Sequence, residues 1–304
     1  MSNTTQAYWD VDGVSLQTYA FNITTLGGDR KAPPTLRGDD LTIPYRPGTV
    51  YVPKVANNRV LTLQMWVIGA DENGNIKQDE NSRRTFDYNW NKLRNLLWRE
   101  GKQFTLTKRF WVPTADLTAA GVNTSALPKD GAWALYTASA KASFASGLSP
   151  DMGGPSRAAF TVDLLLSDPY FYSAPITHAF SMGTGGALPG PTKTFQVLGE
   201  ARTTDIRFDV IGPLDSLRFT NQTPEPDLWM QYATSVADGD TAWIKVKDFK
   251  SVHTDASLTY TSSGYVNHFG DRFWFYLDPG TATVSLSAQA GTGTGTLTYS
   301  PAWI

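Results

Sequence analysis

The sequence predicts a mainly β protein of two domains with one substantial helix. Three observations carry this. The stretch Ser82–Arg99 shows helical apolar periodicity. Short apolar segments recur through the second half at about ten-residue spacing, separated by turn residues, as in a β-sandwich or jelly roll. Between them, Asp168-Pro169 ends a strand pattern and Tyr170-Phe171-Tyr172 follows at once. Proline has no N–H for a ladder and pushes the residue before it to extended geometry. After Ala174-Pro175 the composition shifts to Thr, Ser, Gly and Asp. The 304 residues fit two domains, with the boundary near Ser173–Pro175: residues 1–175 and residues 176–304.

Taken in order, Val14 to Ile23 reads as a first strand. Lys31–Val52 is interrupted by Pro33, Pro34, Pro44 and Pro47, which excludes a central strand and suggests an edge or an arm. Val60–Ile68 places Leu61, Leu63, Met65 and Val67 on one face of a strand. Asp71 to Glu80 resembles a calcium loop at a glance, but the sixth and twelfth positions from Asp71 are Ile76 and Ser82, where Gly and Glu are needed. A polar turn at Asn73-Gly74 is the better reading, and Asp238-Gly239-Asp240 is likewise read as a turn.

In the helix, Phe86, Trp90, Leu93 and Leu97 form the core face, widened by Leu96. Asn81 or Ser82 is the expected N-cap, and Gly101 suits the position past the end. Arg84, Lys92 and Arg99 lie opposite, and the aromatic residues are expected to face inward. The helix is expected to pack on the strands at Val60–Ile68 and Phe104–Trp111. Residues 81–110 hold 8 basic and 2 acidic side chains, whereas residues 176–304 hold 8 basic and 12 acidic. The basic outer face reads first as solvated surface, next as a contact with an acidic neighbouring subunit, and last as a nucleic-acid surface.

Thr114–Pro150 reads as a long loop and hairpin, with one apolar piece at Ala132–Tyr136. Phe160, Val162, Leu164 and Leu166 then alternate as a strand. Met182–Pro191 is a Gly- and Pro-rich loop. Strands are expected at Phe195–Leu198, Ile206–Val210, Leu217–Thr220, Leu228–Tyr232, Ala242–Val246, Arg272–Leu277, Thr283–Ala288 and Leu297–Tyr299.

A hydrophobic fraction of 41% and a net charge of −2 fit a folded chain. No apolar run approaches the ~20 residues of a membrane helix, and the polar start shows no signal peptide. Cysteine is absent, which excludes disulfides and thiolate metal sites. The 10 Trp, 13 Tyr and 15 Phe point mildly to assembly, since aromatics are favoured at interfaces. His178, His253 and His268 have no metal-ligand spacing, and no nucleophile elbow, phosphate loop or dinucleotide fingerprint occurs. No catalytic residue, metal site or cofactor is expected. Trp229, Trp243, Trp274 and Tyr276 sit inside strand patterns, so sandwich core is their simplest reading; an aromatic platform for carbohydrate is the alternative.

The helix, the strand ending in Ser167-Asp168-Pro169-Tyr170-Phe171-Tyr172, and the β domain after it together resemble the distal tail proteins of long, non-contractile-tailed bacteriophages. Leu36-Arg-Gly-Asp-Asp-Leu-Thr-Ile-Pro is similar to that family's first loop and arm, and Leu277-Asp-Pro-Gly-Thr-Ala with Tyr299-Ser-Pro-Ala-Trp303 to the end of its second domain. The resemblance implies a tail-tube-like first domain, a β-barrel or sandwich with one packed helix. It also implies a galectin-like or carbohydrate-binding-module-like sandwich after it, with Asp168–Tyr172 as hinge. It implies a structural virion protein at the distal end of the tail, forming a hexameric ring around a DNA channel, with Arg84, Lys92 and Arg99 available for subunit contact. The implied partners are further copies of the chain, the tail tube protein, the baseplate hub or tail-associated protein, and a host cell-surface glycan. No sequence-specific nucleic acid and no membrane span are implied. A carbohydrate-binding attachment protein and a glycan-degrading tail enzyme are the alternatives.

Overall fold

The structure, a computed structural model, describes residues 8–24, 33–37, 41–42, 49–50, 55–76, 80–154, 156–182, 190–224, 227–254, 259–261, 266–269 and 275–304. The chain divides into two compact units: residues 1–110, 137–171 and 304 form the first, and residues 111–136 and 172–303 form the second.

The chain opens with three short strands, β1 (Trp9–Val11), β2 (Val14–Ser15) and β3 (Phe21–Ile23), in place of the single strand expected at Val14–Ile23. The Asp12-Gly13 turn, with φ of 46° and 82°, folds β2 back on β1. The Thr18 hydroxyl then accepts the N–H groups of Ala20 and Phe21, which diverts them from a ladder. The proline-punctuated stretch forms two small antiparallel ribbons. β4 (Leu36–Arg37) pairs with β7 (Val55–Ala56), and β5 (Leu41–Thr42) with β6 (Thr49–Val50). The prolines at 44 and 47 lie outside the described residues.

β8 (Arg59–Ile68) buries Leu61, Leu63, Met65 and Val67 as their alternation requires. Helix α1 (Glu80–Leu97) lies on it. The expected caps, Asn81 and Ser82, fall within its first turn. Ser82 is buried, and its carbonyl comes so close to Gly69 that a Cβ there would sit 2.1 Å away, so Ser82 packs where it was expected to cap. Trp90 meets Phe160 of a second strand edge-on, ring centroids 5.1 Å apart. Gly101, at φ +65°, turns the chain after the helix.

β9 (Phe104–Pro113) leads into a six-residue helix, α2 (Thr114–Ala119), then β10 (Lys129–Asp130) and β11 (Trp133–Gly147). Of the long loop and hairpin expected at Thr114–Pro150, the hairpin is present as β10 paired with β11, while the loop is in large part the helix α2 and the 15-residue β11. Ala134, Tyr136, Ala138, Ala140 and Ala142 are buried in alternation with Thr137, Ser139 and Lys141. The period is 2, but alanine gives it little hydrophobic contrast. β12 (Asp151–Gly154) and β13 (Arg157–Leu166) follow. β13 pairs with β8 over ten rungs, Arg157 opposite Ile68 through Leu166 opposite Arg59. Asp163 pins three strands, since Thr62 of β8 donates to its Oδ1 at 2.7 Å and Ser146 of β11 to its Oδ2 at 2.5 Å. The sheet order is β2–β1–β9–β11–β13–β8–β3.

Beyond β14 (Phe171–Ser173), the chain forms β15 (Ile176–Ser181), β16 (Thr192–Val197), β17 (Ile206–Ile211), β18 (Leu214–Asp215) and β19 (Leu217–Asn221). There follow β20 (Leu228–Tyr232), β21 (Thr241–Lys245), β22 (Lys250–Thr254), β23 (Thr259–Thr261) and β24 (Val266–Phe269). The last are β25 (Gly280–Ser287), β26 (Ala290–Gly291), β27 (Thr294–Tyr299) and β28 (Ala302–Trp303). A six-stranded sheet, β15–β27–β17–β21–β22–β23, and a five-stranded sheet, β16–β25–β19–β20–β24, enclose an aromatic core. Phe208 of the first stands 4.2 Å from Phe219 of the second, centroid to centroid, and Phe180 and Phe275 pack edge-on around them. This is a two-sheet sandwich. The strand expected at Arg272–Leu277 and the loop at Met182–Pro191 lie largely outside the described residues.

Candidate functional site

The helix core face is buried at Phe86, Leu93 and Leu97, with Trp90 half-buried against Phe160. The opposite face exposes Arg83, Arg84, Lys92 and Arg94. Arg99 differs: its Nη1 donates to Asp12 Oδ2 at 2.5 Å within the same unit. The Asp12 carboxyl is held below its usual range, chiefly by the Thr105 N–H at 2.8 Å and then by the Arg99 guanidinium, with burial opposing. Arg99 thus braces the helix end against the β1–β2 turn. Tyr88 corrects the expectation that helix aromatics face inward. It stands on the outer surface, 66% exposed.

At the residues read from the sequence as a hinge, the Asp168 carboxylate accepts the Tyr170 N–H at 3.4 Å, and Pro169 is buried. Phe171 is fully buried in the first unit. Trp9 packs edge-on to it at 5.7 Å, and the Lys108 ammonium stands 4.9 Å from its ring centre. Tyr172 begins the second unit and carries the Lys247 ammonium 4.3 Å from its ring centre. The next residue, Ser173, accepts the Trp303 indole N–H at 3.1 Å.

The aromatic residues read as a sugar platform are separated and capped. Trp243 lies on β21, half-buried, with the Arg207 guanidinium 4.8 Å and the Lys250 ammonium 5.7 Å from its ring centre. Arg207 is itself held by two hydrogen bonds from Nε to the Asp209 oxygens, 2.8 and 2.9 Å. Trp229 lies on β20 in the other sheet, under Arg218 at 4.3 Å. Tyr276 lies under Arg202 at 3.5 Å, and Arg202 is paired with Asp278. Trp274 lies outside the described residues. A cation over an aromatic face is stabilising and occupies the surface on which a sugar ring would stack. The cations over the two tryptophans come from neighbouring strands and the one over Tyr276 from the β16–β17 connection, so nothing in the local sequence announces them.

Among the described residues, no three His, Cys, Asp or Glu side chains are placed to hold a metal ion.

No protein-family model matches the sequence, and no curated protein matches it. Solved structures do. The SPP1 Dit protein matches with a TM-score of 0.54 at 14% identity, covering 98% of this chain and 99% of that chain. A chain of the phage P2 baseplate in its activated conformation with calcium covers 94% of this chain and 92% of that one, with a TM-score of 0.34 at 7% identity. A chain of the same baseplate with strontium covers 93% and 92%, with a TM-score of 0.31 at 8% identity. Along nearly its whole length, this chain has the fold of the SPP1 Dit protein.

Proposed function

We propose that the chain is a structural subunit of a phage tail tip, a distal tail protein. Six copies close into a ring that joins the tail tube to the baseplate hub and leaves a channel for DNA. Residues 1–175 form the ring, and residues 176–304 form a galectin-like domain at its periphery. The carrying observation is the fold likeness to SPP1 Dit, which is described as a paradigm of the hub adsorption apparatus in phages infecting Gram-positive hosts. The tail-tip motif Asp168–Tyr172, read from the sequence alone, agrees with it.

A heterologous ring needs two different, complementary patches on each subunit. The exposed Arg84 and Lys92 supply a basic one, and the first unit outside residues 81–110 is acidic. A strongly basic lumen would bind DNA tightly and with steep salt dependence. The basic helix face therefore turns to a neighbour or to solvent. The capped state of Trp229, Trp243 and Tyr276 speaks against a carbohydrate platform at those residues. Electron microscopy of virion tail tips carrying a labelled chain tests the reading. The expected image is a closed ring around the channel. A projecting trimeric fibre, or a central ring without this chain, overturns it.

A further inference from the structure

Where helix α1 ends, the first unit carries an open cleft of about 390 Å³. Trp98 and Phe144 are its apolar walls, with Glu100 and Lys102 exposed beside them. The Trp98 N–H donates to the Arg94 carbonyl at 2.8 Å, which carries the helix on through Trp98, yet the side chain is 54% exposed. Arg99, also in the cleft, is held by Asp12, so this end of the helix is braced. An exposed tryptophan on a fixed backbone beside a cleft loses little freedom when covered, and tryptophan is enriched among the residues that anchor interfaces.

Met152 of β12 is a second exposed apolar side chain, at 51%. Its place follows from register. β11 and β12 both pair with β13, Phe144 opposite Leu164 and Met152 opposite Ala158. Residues directly opposite share a face of the sheet. Ala158 and Leu164 are buried on the face from which Phe160 meets Trp90 of the helix. Met152 and Phe144 therefore lie on the helix side of one sheet. Six residues of β13 separate their partners, about 20 Å along the strand. Met152 thus sits well away from the cleft of its own chain.

The two places are complementary. A methionine sulfur makes favourable contacts with aromatic rings, and its unbranched side chain adapts to an irregular cleft. Beside Met152 stand Asp151 and Arg157, whose Nε donates to the Gly153 carbonyl at 2.9 Å. Beside Trp98 stand Lys102 and Glu100, and all four charged residues are exposed. Laid one on the other, the two patches match opposite charges in two pairs. A Met152 patch against its own copy offers no ring, and two clefts face to face leave both unfilled. Knob and socket at different places on one chain make a head-to-tail contact, the kind from which rings are built.

We propose that Met152 of one copy seats in the Trp98–Phe144 cleft of the next copy, with Asp151 toward Lys102 and Arg157 toward Glu100. The proposal deepens the ring reading and rests on it.

The absence of cysteine makes the test direct, since introduced thiols are the only ones. Ser149 and Gln103 are exposed, one just before β12 and one in the wall of the cleft, and neither is among the contacts proposed. Full-length Ser149→Cys and Gln103→Cys chains are mixed at high concentration and joined by a short bismaleimide. A linked dimer is expected, well above that from each variant alone or from Gln103→Cys mixed with Ser181→Cys. Adding Trp98→Ala to the Gln103→Cys chain should lower the yield at least about tenfold, as for loss of an interface anchor. Adding Asp151→Lys to the Ser149→Cys chain should lower it too, and Lys102→Glu on the other chain should then restore it. Urea midpoints of the variants should be unchanged; if Trp98→Ala lowers its own, the charge reversal and its rescue decide. Equal yields from all the mixtures overturn the contact, as does a yield that neither Trp98→Ala nor the charge reversals alter. A ring imaged at the tail tip without this link leaves the ring reading standing and sinks the contact. The link without a ring does the reverse.

Discussion

The Tyr232 hydroxyl meets Nδ1 of His253 at 2.9 Å inside the second unit, joining β20 of the five-stranded sheet to β22 of the six-stranded sheet. Both residues are buried. With the hydroxyl donating, Nε2 keeps the imidazole proton and faces Asp240, whose Oδ2 lies 3.6 Å away. Tyr232→Phe keeps the ring and removes this bond between the sheets. It should cost about 0.5–1.5 kcal/mol, the net worth of a hydrogen bond. Urea melts check this; an unchanged midpoint would show that the bond does not hold the sheets.

His178 gives the second unit a pH dependence. Burial, aided by the Lys193 charge, lowers its pKa from 6.5 to about 4. Its imidazole stacks on Phe195 at 3.8 Å, and its Nε2 is buried without a hydrogen-bond partner. The unfolded chain binds the proton more readily, so stability is fully present above about pH 6.5 and is lost as pH falls toward 4. His178→Phe removes this titration. The urea midpoint of the wild type should fall relative to that of the variant between pH 7 and pH 4, and parallel curves would refute the assignment.

On helix α1, Trp90→Ala should cost about 3 kcal/mol or more, because it empties the contact with Phe160. Arg84→Ala, on the exposed face, should stay within about 0.5 kcal/mol. Equal losses in chemical denaturation would mean that the faces are wrongly assigned. If Arg84 serves the ring, its variant should be deficient in tail assembly at unchanged monomer stability.

The capped tryptophans predict weak or absent glycan binding. Soluble host-envelope glycans should leave the tryptophan fluorescence of the wild type unchanged. A saturable response that disappears in Trp243→Ala would restore the platform reading, and Arg207→Ala would then be expected to strengthen it by uncovering the indole.

Long elements with strong contrast were readable from the sequence. β8 buries Leu61, Leu63, Met65 and Val67 and β13 Phe160, Val162, Leu164 and Leu166 at every second position, and α1 gathers Phe86, Leu93 and Leu97 on one side. β11 was not readable, because its inward positions are mostly alanine and its outward ones Thr and Ser, so the alternation carries little hydrophobic signal. β22 hides for another reason: two of its three buried residues, Ser251 and His253, are polar. The cation caps depend on register and on segments far apart in sequence. Asp209 pairs with Trp243 across β17 and β21, which sets Arg207 diagonal to the indole. No local pattern encodes that neighbour.

The ten-rung pairing of β8 with β13 has a consequence for biosynthesis. Ile68 faces Arg157, so about ninety residues must leave the ribosome after β8 before its partner exists. At bacterial-scale elongation of roughly 5–20 residues per second, that is a wait of about 5–20 seconds. During it Leu61, Leu63, Met65 and Val67 belong to a strand with one long edge open, paired only through the short β3. Such an edge is an invitation to a neighbouring nascent chain. The yield of correctly folded chain is thus set in part during these seconds of translation.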